Sequence, residues 1–594
     1  MSLTEDVKSE ILAYTLKNAL EHEGKPSSQA ILGKIIANHP QLKANISAIK
    51  MLIDDTVKYV LTLSVEQQQR EYEKYSDYIL DFKPNVGEKS NVLPELPNRP
   101  PVIVTRFAPN PDGPIHIGNL RAAVLSYSYA RMYKGKFILR LEDTDPKVKP
   151  PMLSAYEWIK QDLIWLGLDW DEFYIQSDRI ELYYDYALKL TDKGDAYVCE
   201  CSPEEFKSYK LLGKSCPHRT RTDSVSLLQK MISGLVEEGR AVLRLKTSME
   251  DPNPALRDPP LLRIVNTNIT PHPRVGAKYR VFPLYNFSAA IDDSLMGITL
   301  ILRGKEHLTN SIIQGKIQEK LGLTKPMSVE FGRLNLEGYI LSKSKIKNSL
   351  RSHEFLSDWP TTSDGWDDPR LATIMSLRRR GIQPQALVEL MLEVGPKPID
   401  ASISWDNLAA INRRIIEPIA KRFFAVLNPQ NLIVKGVPTE NPFISAKIKV
   451  HPSRPELGER RIELPIQDGC ASIMVAKSDL EGLPKTVRLM DLFNIEIQRL
   501  SESGAVGYYK SKEVEEAKRN RYPIIQWVPA TDSVSMVMYK AVGLNLEKHT
   551  GIIEPSITHE PVGSVVQMVR IGYARIDASR ESNNGSIRVV FTHD

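Results

Sequence analysis

The stretch over residues 102–143 constrains the fold of this chain more than any other part of the sequence. Its first segment, VIVTRF, is rich in β-branched residues and predicts a buried strand. The turn APNPDGPIHIG follows, then a helix predicted over 119–133, then a second strand, KFILRLED, over 136–143. Strand, Gly/Pro-rich turn, helix and strand form a βαβ unit, which predicts a doubly wound parallel sheet. Such sheets bind ligands at the carboxyl ends of their strands, where Arg106 and Glu142 stand.

The turn after the first strand has the features of a phosphate-binding site. Gly118 and the small turn residues let the backbone approach a ligand, and the helix N-terminus offers free N–H groups to phosphate oxygens. His116 can donate to those oxygens as charge builds up during a displacement. A histidine that satisfies a backbone group is the plainer interpretation of HIGN alone. The context Arg–x–Ala–Pro–x–Pro–x–Gly–x–x–His–x–Gly after a strand favours the nucleotide site.

A second candidate motif is LSKSK, which follows GRLNLEGY, a loop with two glycines. A mobile loop carrying Lys343 and Lys345 can clamp a triphosphate and neutralise charge on departing pyrophosphate. By itself such a segment is as well explained by a solvated surface loop. Its occurrence together with the upstream histidine turn favours the functional interpretation.

A cysteine cluster in the segments VCECSP and SCPHR has the content of a zinc site with three cysteines and one histidine. Its candidate ligands are Cys199, Cys201, Cys216 and His218. The spacing differs from the usual C-x₂-C, and three small buried thiols are the alternative. All four positions of a tetrahedron would be filled, which favours a structural metal over a catalytic one. Cys470 lies far from the cluster and is expected to be a core residue.

Composition limits the class of protein. Only 4 cysteines among 594 residues argue against a disulfide-built secreted chain. The sequence has no apolar run long enough for a membrane span, and its first residues lack the apolar core of a secretion signal. We therefore expect a soluble cytoplasmic protein without membrane contact. A net charge of +5 is too balanced for a polycation but is compatible with one basic face.

Long blocks of the sequence resemble one family. RFAPNPDGPIHIGN, LRLEDTDP, GWDDPRLATIMSLRRRGIQP and ISWDNLAAINRRIIEP are similar to the glutamyl/glutaminyl subfamily of class I aminoacyl-tRNA synthetases, most closely to its archaeal-type glutamyl members. The HIGN turn and LSKSK resemble the two signatures of class I enzymes. Asn119 replaces the last histidine of the first signature, and Ile340 stands at the first lysine position of the second.

The resemblance implies an α/β multidomain fold with a class I Rossmann-type catalytic domain. With the residue patterns it divides the chain into an N-terminal helical domain (1–82), a linker (83–100), the first Rossmann half (101–195), an acceptor-binding insertion with the zinc site (196–272), the second Rossmann half with the lysine loop (273–350), a helical stem-contact region (351–427) and anticodon-binding β-barrels (428–594). The role of the N-terminal domain stays open.

The resemblance also assigns site residues. ATP, with Mg²⁺, is expected to contact Pro109, Gly113, His116, Gly118, Asn119, Ser342, Lys343 and Ser344. His116 and Lys343 are the expected catalytic residues. The glutamate pocket is expected to comprise Arg106, Asn110, Glu142, Tyr285, Asn286 and Arg303. Arg106 and Arg303 would hold the carboxylates and Glu142 the ammonium group; whether Phe282 reaches the ligand is left open.

The expected reaction joins L-glutamate to the terminal adenosine of tRNA(Glu) through a glutamyl-adenylate, in a monomer that needs tRNA before activation. Charging of tRNA(Gln) as well is left open. Glutaminyl members are the nearest alternative, but they carry a non-basic residue at the position of Arg303. A tRNA-binding scaffold without catalysis is the alternative from another class. Candidate tRNA contacts are the basic runs HRTRT (218–222), RLKT (244–247), SLRRRG with its arginines at 378–380, and INRR with its arginines at 413 and 414.

Overall fold

The computed structural model describes residues 5–21, 24, 26–29, 31–32, 35, 46–75, 93–351, 359–360, 362–438, 441–501 and 504–594. The chain forms two compact units, residues 1–92 and residues 93–594. Among the helices of the described residues, none combines the length and apolar character that a membrane span requires. The predicted linker, 83–100, lies outside the described residues as far as residue 92.

The first unit contains the helices α1 (Glu5–Glu21), α2 (Ile46–Leu61) and α3 (Val65–Tyr75). The apolar residues that recur at helical spacing are fully buried, but in two clusters, with Leu16 and Ala19 in one and Ile49 and Ile53 in the other. α3 is polar in sequence, but its Gln68 is buried and donates through Nε2 to a backbone carbonyl of α2 at 3.0 Å. A hydrogen bond thus supplements the small apolar contact of this helix.

The second unit opens with the predicted βαβ unit, formed by β1 (Val104–Phe107), α4 (Ile117–Met132), β2 (Lys136–Leu141), α5 (Leu153–Trp165) and β3 (Glu172–Ile175). The three strands are parallel neighbours in the order β1–β2–β3. The helix begins at Ile117 rather than at residue 119, because His116 caps it. β2 ends at Leu141 rather than at residue 143, because the Glu142 N–H leaves the ladder and donates to Pro109 O at 3.1 Å.

The described end of the predicted linker packs on α4. Leu93 and Leu96 are buried in a cluster with apolar residues of the sheet. Tyr129 Oη donates to Pro94 O at 2.9 Å, and Leu96 N donates to Tyr133 Oη at 3.3 Å. From residue 93 onward the chain is therefore part of the second unit.

The insertion is a four-stranded antiparallel sheet, in the order β4–β5–β6–β7, with helices beside it. Within the predicted bounds 196–272 lie β4 (Ala196–Cys199), α7 (Pro203–Leu212), α8 (Ser224–Ile232), β5 (Val242–Leu245) and β6 (Pro260–Ile264). The helix α6 (Ile180–Asp192) before them and the strand β7 (Val281–Pro283) after them pack on the same core, so this sheet extends beyond those bounds. Phe282, in β7, is fully buried in the core of this sheet and stacks on His272 with ring centroids 6.0 Å apart.

The parallel sheet resumes with α9 (Tyr285–Leu295), β8 (Leu300–Gly304), α10 (Leu308–Leu321) and β9 (Met327–Phe331). β8 and β9 are parallel. Thr299 joins the two halves, since its N–H donates to Val104 O at 2.9 Å and its Oγ1 accepts from Val104 N at 2.8 Å. The carboxyl ends of β1, β2 and β8 therefore lie along one edge.

A helical region follows, formed by β10 (Leu334–Leu336), α11 (Lys343–Arg351), α12 (Ile374–Arg379), α13 (Pro384–Val394), β11 (Ala401–Ile403) and α14 (Trp405–Ile416). It shares a core with the sheet and also fixes the histidine turn. Ile117 N donates to Ala372 O at 2.9 Å, and Ile374 N donates to Ile115 O at 2.9 Å. Backbone hydrogen bonds from the residues before and after His116 therefore hold the turn against the segment at residues 372–374.

Two barrel-like sheets make up the C-terminal part, of seven and nine strands. Their strands are β12 (Arg422–Phe423), β13 (Ala425–Leu427), β14 (Pro429–Lys435), β15 (Phe443–Lys449), β16 (Glu459–Gln467), β17 (Cys470–Ala476), β18 (Lys485–Leu489), β19 (Asn494–Ser501), β20 (Gly504–Ser511), β21 (Ile524–Ile525), β22 (Val528–Pro529), β23 (Val534–Val542), β24 (Asn545–Ile553), β25 (Val565–Met568), β26 (Gly572–Ala578) and β27 (Ile587–His593), with helix α15 (Val514–Arg519) between β20 and β21. The α/β multidomain fold class is confirmed.

Cys470 corrects one expectation. It was predicted as a core residue, but it is half-buried. Burial alternates along β17, so that Ala471, Ile473 and Val475 face the core. Cys470 therefore belongs to the outward-facing set.

Candidate active site

The shared edge of the parallel sheet brings together three charged residues predicted for the amino-acid pocket. Arg106 lies in β1, Glu142 directly follows β2, and Arg303 lies in β8. Arg106 and Arg303 are each only 6% exposed. Charged side chains are rarely this buried unless they are paired or serve a ligand, so their partners decide what the site can bind.

Arg106 is paired with an aspartate of helix α9. Its Nε lies 3.0 Å from Asp293 Oδ1, and its Nη2 lies 3.4 Å from Asp293 Oδ2. This two-point contact fixes the plane of the guanidinium group. Burial alone would raise the pKa of Asp293, but the two neighbouring guanidinium groups, of Arg106 and Arg140, hold it below its ordinary value.

Arg140, in β2, extends this pair to Glu142. Its Nη1 lies 2.8 Å from Asp293 Oδ1 and its Nη2 lies 2.8 Å from Glu142 Oε1, while the Arg140 side chain is fully buried. Arg106, Asp293, Arg140 and Glu142 thus form a continuous chain of alternating charges, which we call the buried ion-pair chain. Burial raises the pKa of Glu142, and the attraction of Arg140 and Arg106 opposes that rise.

Arg303 differs from the other two guanidinium groups. It donates through Nη1 to Gln314 Oε1 at 2.9 Å. In the described part of the chain it forms no salt bridge with a carboxylate. Burial lowers its pKa, and the nearby positive charge of Arg106 lowers it further. A buried cation without an acidic partner, close to a second cation, is suited to an anionic ligand.

The predicted polar residues of the site differ in whether their side chains have hydrogen-bond partners. The Oδ1 atoms of Asn110 and Asn119 are buried and accept no hydrogen bond from the residues that the structure describes. Asn286 is tied to the protein instead, donating to Asn310 Oδ1 at 3.0 Å and accepting from Gln314 Nε2 at 3.2 Å. Since Gln314 also accepts from Arg303, Asn286 supports the arginine through that amide. Burial raises the pKa of Tyr285, so the phenol stays protonated.

His116 caps helix α4 through its ring. Its Nδ1 accepts from Gly118 N at 3.1 Å, which leaves the proton of the neutral ring on Nε2. Burial, with a smaller contribution from Lys343, lowers the pKa of His116 to about 3. A Cβ atom at Gly118 would stand 2.9 Å from the imidazole, so glycine is required there. His116 is therefore a neutral hydrogen-bond donor at a helix N-terminus.

This pKa predicts a pH dependence of stability. Below pH ~6.5 the unfolded chain protonates His116 and the folded chain does not, so the free energy of unfolding falls as pH decreases toward about 3, by at most ~1.4 kcal/mol per pH unit. We expect His116→Asn, which keeps a capping side chain, to reduce this slope by the contribution of His116, while His307 and His593, whose pKa values burial also lowers, keep theirs. Urea unfolding of both proteins between pH 7 and pH 5 measures it, with the exposed His559→Asn as the matched control. Equal slopes for His116→Asn and the unmodified protein would contradict a neutral, buried His116.

The two signature motifs meet at Lys343, the first residue of α11. Its ammonium group lies 2.9 Å from Asn110 O, 3.0 Å from Gly113 O and 3.2 Å from Asp112 Oδ1. Burial lowers the pKa of Lys343, against the attraction of Asp112. The lysine loop is thus folded over the histidine turn. Trp366 packs against Gly113, where a Cβ atom would lie 2.9 Å from the indole ring.

The remaining predicted nucleotide contacts lie on the same two segments. Pro109 and Asn119 flank the histidine turn, and Pro109 O accepts from Glu142 N. Ser342 precedes α11 and is half-buried, whereas Ser344 is exposed within it. All the predicted ATP residues therefore lie on the turn or on the loop that covers it.

The cysteine cluster closes in the insertion. Cys199 Sγ and Cys216 Sγ lie 3.8 Å apart, Cys201 Sγ and His218 Nδ1 lie 3.4 Å apart, and the four ligand atoms all lie within 4.8 Å of one another. The Tyr197 hydroxyl joins the cluster to Asp258, lying 3.5 Å from Cys216 Sγ and 2.9 Å from Asp258 Oδ2.

Several arginines predicted as tRNA contacts serve the protein itself. Arg244 stacks on Phe206 at 3.4 Å, and Arg380 is buried against Trp405 at 3.6 Å. Arg379 lies 2.6 Å from Asp367 and 2.7 Å from Asp577, a residue of strand β26. Arg378 and Arg413 are exposed, so they keep the property that the prediction requires.

Sequence reasoning missed the two inner members of the buried ion-pair chain, although both left a signal. Arg140 interrupts an apolar strand two residues before Glu142, the pocket residue that it contacts. Asp292 and Asp293 interrupt the apolar helix pattern SAAIDDSL. A charged residue within a buried strand or helix needs a partner of opposite charge, so both interruptions predict buried ion pairs.

Comparison with known families agrees with this geometry. Residues 102–418 match the model described as the catalytic domain of class I tRNA synthetases (E and Q). Residues 420–512 and residues 524–577 match two models described as anti-codon binding domains of the same synthetases.

Several relatives that match this chain over nearly its full length are named glutamate–tRNA ligase. The chain is 44% identical to the glutamate–tRNA ligase of Thermococcus kodakarensis over 99% of this chain and 100% of that protein. It is 45% identical to the Hyperthermus butylicus ligase over 97% and 100%, and 46% identical to the Pyrococcus abyssi ligase over 96% and 97%. A solved glutamate tRNA ligase from Elizabethkingia meningosepticum, in complex with its amino acid, aligns with 54% of this chain and 70% of that chain at 20% identity and a TM-score of 0.37.

Proposed function

Because the chain belongs to the class I tRNA synthetases of the glutamyl and glutaminyl group, we propose that it is an ATP-dependent glutamate–tRNA ligase. The observation that carries the choice of glutamate is Arg303, a buried guanidinium group without an acidic partner in the described residues. The full-length relatives named glutamate–tRNA ligase support the same choice. Glutamine has a single carboxylate, so it would leave one of the two guanidinium groups, of Arg106 and Arg303, without an anionic partner from the substrate.

The charges of the pocket support glutamate over glutamine. Among the most deeply buried groups, three guanidinium groups, of Arg106, Arg140 and Arg303, face two carboxylates, of Glu142 and Asp293, which leaves one positive charge. Glu330 also attracts Arg303, but it is half-buried, so solvent screens part of its charge. Glutamate, with two carboxylates and one ammonium group, brings one negative charge, whereas glutamine brings none. In a buried site an uncompensated charge is costly, so the pair that sums to zero is favoured.

The histidine turn and the lysine loop account for activation. The α-carboxylate of glutamate attacks the α-phosphorus of ATP, and pyrophosphate leaves. His116 donates its Nε2–H to a phosphate oxygen, while the Lys343 ammonium group exchanges the turn carbonyls for the departing phosphates. Mg²⁺ bound with the nucleotide would supply further neutralisation of phosphate charge beside His116 and Lys343. The 2′-hydroxyl of the terminal adenosine then attacks the adenylate and releases AMP.

Charging assays test this proposal. The purified protein is incubated with ATP, radiolabelled glutamate or glutamine, and transcripts of tRNA(Glu) or tRNA(Gln). We expect glutamate on tRNA(Glu), and ATP–pyrophosphate exchange only when tRNA is present. Preferred charging of glutamine would overturn the substrate, and an absence of exchange with tRNA would favour a tRNA-binding scaffold. Product on tRNA(Gln) decides the question left open by the sequence. The monomeric state and cytoplasmic location stay predictions.

We also propose a structural zinc ion at the cysteine cluster of the insertion. In a tetrahedron with Zn–S distances of about 2.3 Å, two sulfurs lie about 3.8 Å apart. The Cys199–Cys216 separation of 3.8 Å fits that value. Cys201 and His218 would supply the other two ligands, so no position is left for a substrate. The metal would close the segment between β4 and the turn at residues 217–220.

Metal analysis checks this site. We expect about one zinc ion per chain, lost in Cys216→Ser together with a lower unfolding temperature of the insertion, because binding energy of a structural zinc is folding energy. Cys470→Ser, at the half-buried cysteine outside the cluster, is the matched control and keeps its zinc. Less than about half an equivalent in the unmodified protein would contradict the site.

A further inference from the structure

We propose that Asp293 and Arg140 are positioning residues of the amino-acid pocket, which set the orientation of Arg106 and Glu142 before glutamate binds. The inference rests on the proposed function, because it concerns the same pocket. It assigns a role to residues that are buried beneath the ligand-facing groups and would not contact the substrate themselves.

Contacts around Asp293 carry the first step. Its two oxygens engage Nε and Nη2 of Arg106 at 3.0 and 3.4 Å, which occupies one edge of that guanidinium group. Oδ1 also accepts from Arg140 Nη1 at 2.8 Å. One carboxylate therefore fixes two cations side by side that would otherwise repel each other. The remaining N–H groups of Arg106 are left in a defined direction, available to a substrate carboxylate.

Arg140, which Asp293 holds in place, in turn fixes the position of the Glu142 carboxylate. Its Nη2 contacts Glu142 Oε1 at 2.8 Å. Glu142 Oε2 is not part of that contact, which leaves one oxygen for the substrate ammonium group. Glu142 follows the end of β2, outside its ladder, so the strand does not orient its side chain. The contact with Arg140 supplies that orientation. Asp293 and Arg140 together therefore fix the position of Arg106 relative to Glu142.

Helix geometry provides an internal comparison. Asp292 and Asp293 are consecutive in α9 and both are buried, but successive helical side chains point about 100° apart. Asp292 faces the insertion side, where it accepts from Arg179 Nε at 2.9 Å, Tyr183 Oη at 2.6 Å and Gln176 Nε2 at 3.0 Å. The helix thus presents two buried aspartates of similar burial, of which only Asp293 contacts residues of the pocket.

Asp293→Asn in the full-length chain tests the assignment, with Asp292→Asn as the matched control. An asparagine keeps the volume but turns an N–H₂ group toward a guanidinium group, so Arg106 loses its two-point contact. We expect the KM for glutamate to rise on the order of 30-fold or more, with the KM for ATP unchanged. Asp292→Asn is expected to lower the unfolding temperature and to leave the KM for glutamate within about twofold of its original value.

Two further variants separate positioning from folding. Asp293→Glu keeps the charge, and hence the balance of the chain, but moves the carboxylate by one methylene group. It is expected to fold and still to raise the KM for glutamate about tenfold. In the double variant Arg140→Met/Asp293→Asn the charges again balance, but Arg106 stays unoriented, so the KM remains high. A normal KM for glutamate in Asp293→Glu, or its recovery in the double variant, would overturn the proposal.

Failure of this inference differs from failure of the proposed function. If the unmodified protein charges no glutamate, the ligase assignment is wrong, and the variants are not needed to show it. The unmodified protein can instead charge glutamate while both variants, Asp293→Glu and Asp293→Asn, keep a normal KM for glutamate. In that case the ligase assignment stands, and Asp293 is a structural residue.

Discussion

Arg303→Gln is expected to lower kcat/KM for glutamate by about 10²–10⁴-fold, because a buried substrate carboxylate left without its cation costs about 3–5 kcal/mol. The KM for ATP should not change, since the histidine turn is untouched. The unfolding temperature is expected not to fall. Arg303 has no acidic partner in the described residues and is repelled by Arg106, so its charge opposes folding. A large loss of activity without a loss of stability is the signature of a residue placed for the ligand.

Steady-state charging of tRNA(Glu), with thermal unfolding in parallel, measures both quantities. Arg333→Gln is the matched control, because Arg333 is an arginine near the same strands whose side chain is 70% exposed. Arg303→Lys keeps the charge but loses the planar fork, and an intermediate loss is expected. Unchanged glutamate kinetics in Arg303→Gln would remove Arg303 from the pocket and reopen glutamine as the substrate.

Lys343→Ala is expected to lower adenylate formation by about 10²–10³-fold, a loss comparable to that of one preorganised charge-stabilising group. Lys343 lies within hydrogen-bond distance of two turn carbonyls, so a small displacement brings its ammonium group to phosphates bound at the helix N-terminus. Affinity for tRNA should be nearly unchanged, because the side chain is turned inward. Single-turnover adenylate formation and a tRNA filter-binding assay check the two halves of this expectation.

Lys345→Ala serves as its control, since Lys345 is an exposed lysine two positions further along the same helix. A loss for Lys345→Ala as large as that for Lys343→Ala would indicate a general effect of loop charge. Unaltered turnover in Lys343→Ala would exclude Lys343 from the mechanism.

The sequence predicted those parts of the site that depend on local spacing. The βαβ unit, the turn that carries His116 and the four clustered metal-ligand candidates each lie within a short stretch, so type and order of residues largely determine their geometry. The lysine loop is distant in sequence, and only its resemblance to a known signature placed it beside the turn. The structure brings the two together at Lys343 and Asn110.

What the sequence did not provide were partners chosen by packing. Arg106 and Asp293 are 187 positions apart, and no local pattern pairs them. Two arginines of the basic runs differ from the prediction for the same reason. Arg380 and Arg244 were predicted as candidate tRNA contacts, but they are buried against the aromatic rings of Trp405 and Phe206. Charge type is visible in a sequence, whereas the neighbour that neutralises or shields it is a property of the folded chain.

The contact of Arg379 with Asp577 bears on how far this enzyme can be treated as separable modules. Asp577 belongs to a C-terminal strand, Arg379 also binds Asp367, and the adjacent Trp366 lies against Gly113 of the histidine turn. If the chain were cut after the catalytic region, Arg379 would lose its ion pair with Asp577. Its contact with Asp367 lies next to Trp366, which packs against the histidine turn, so this packing would become more exposed to solvent. A chimaera that exchanges the C-terminal sheets at this junction must therefore keep an acidic residue at the position of Asp577.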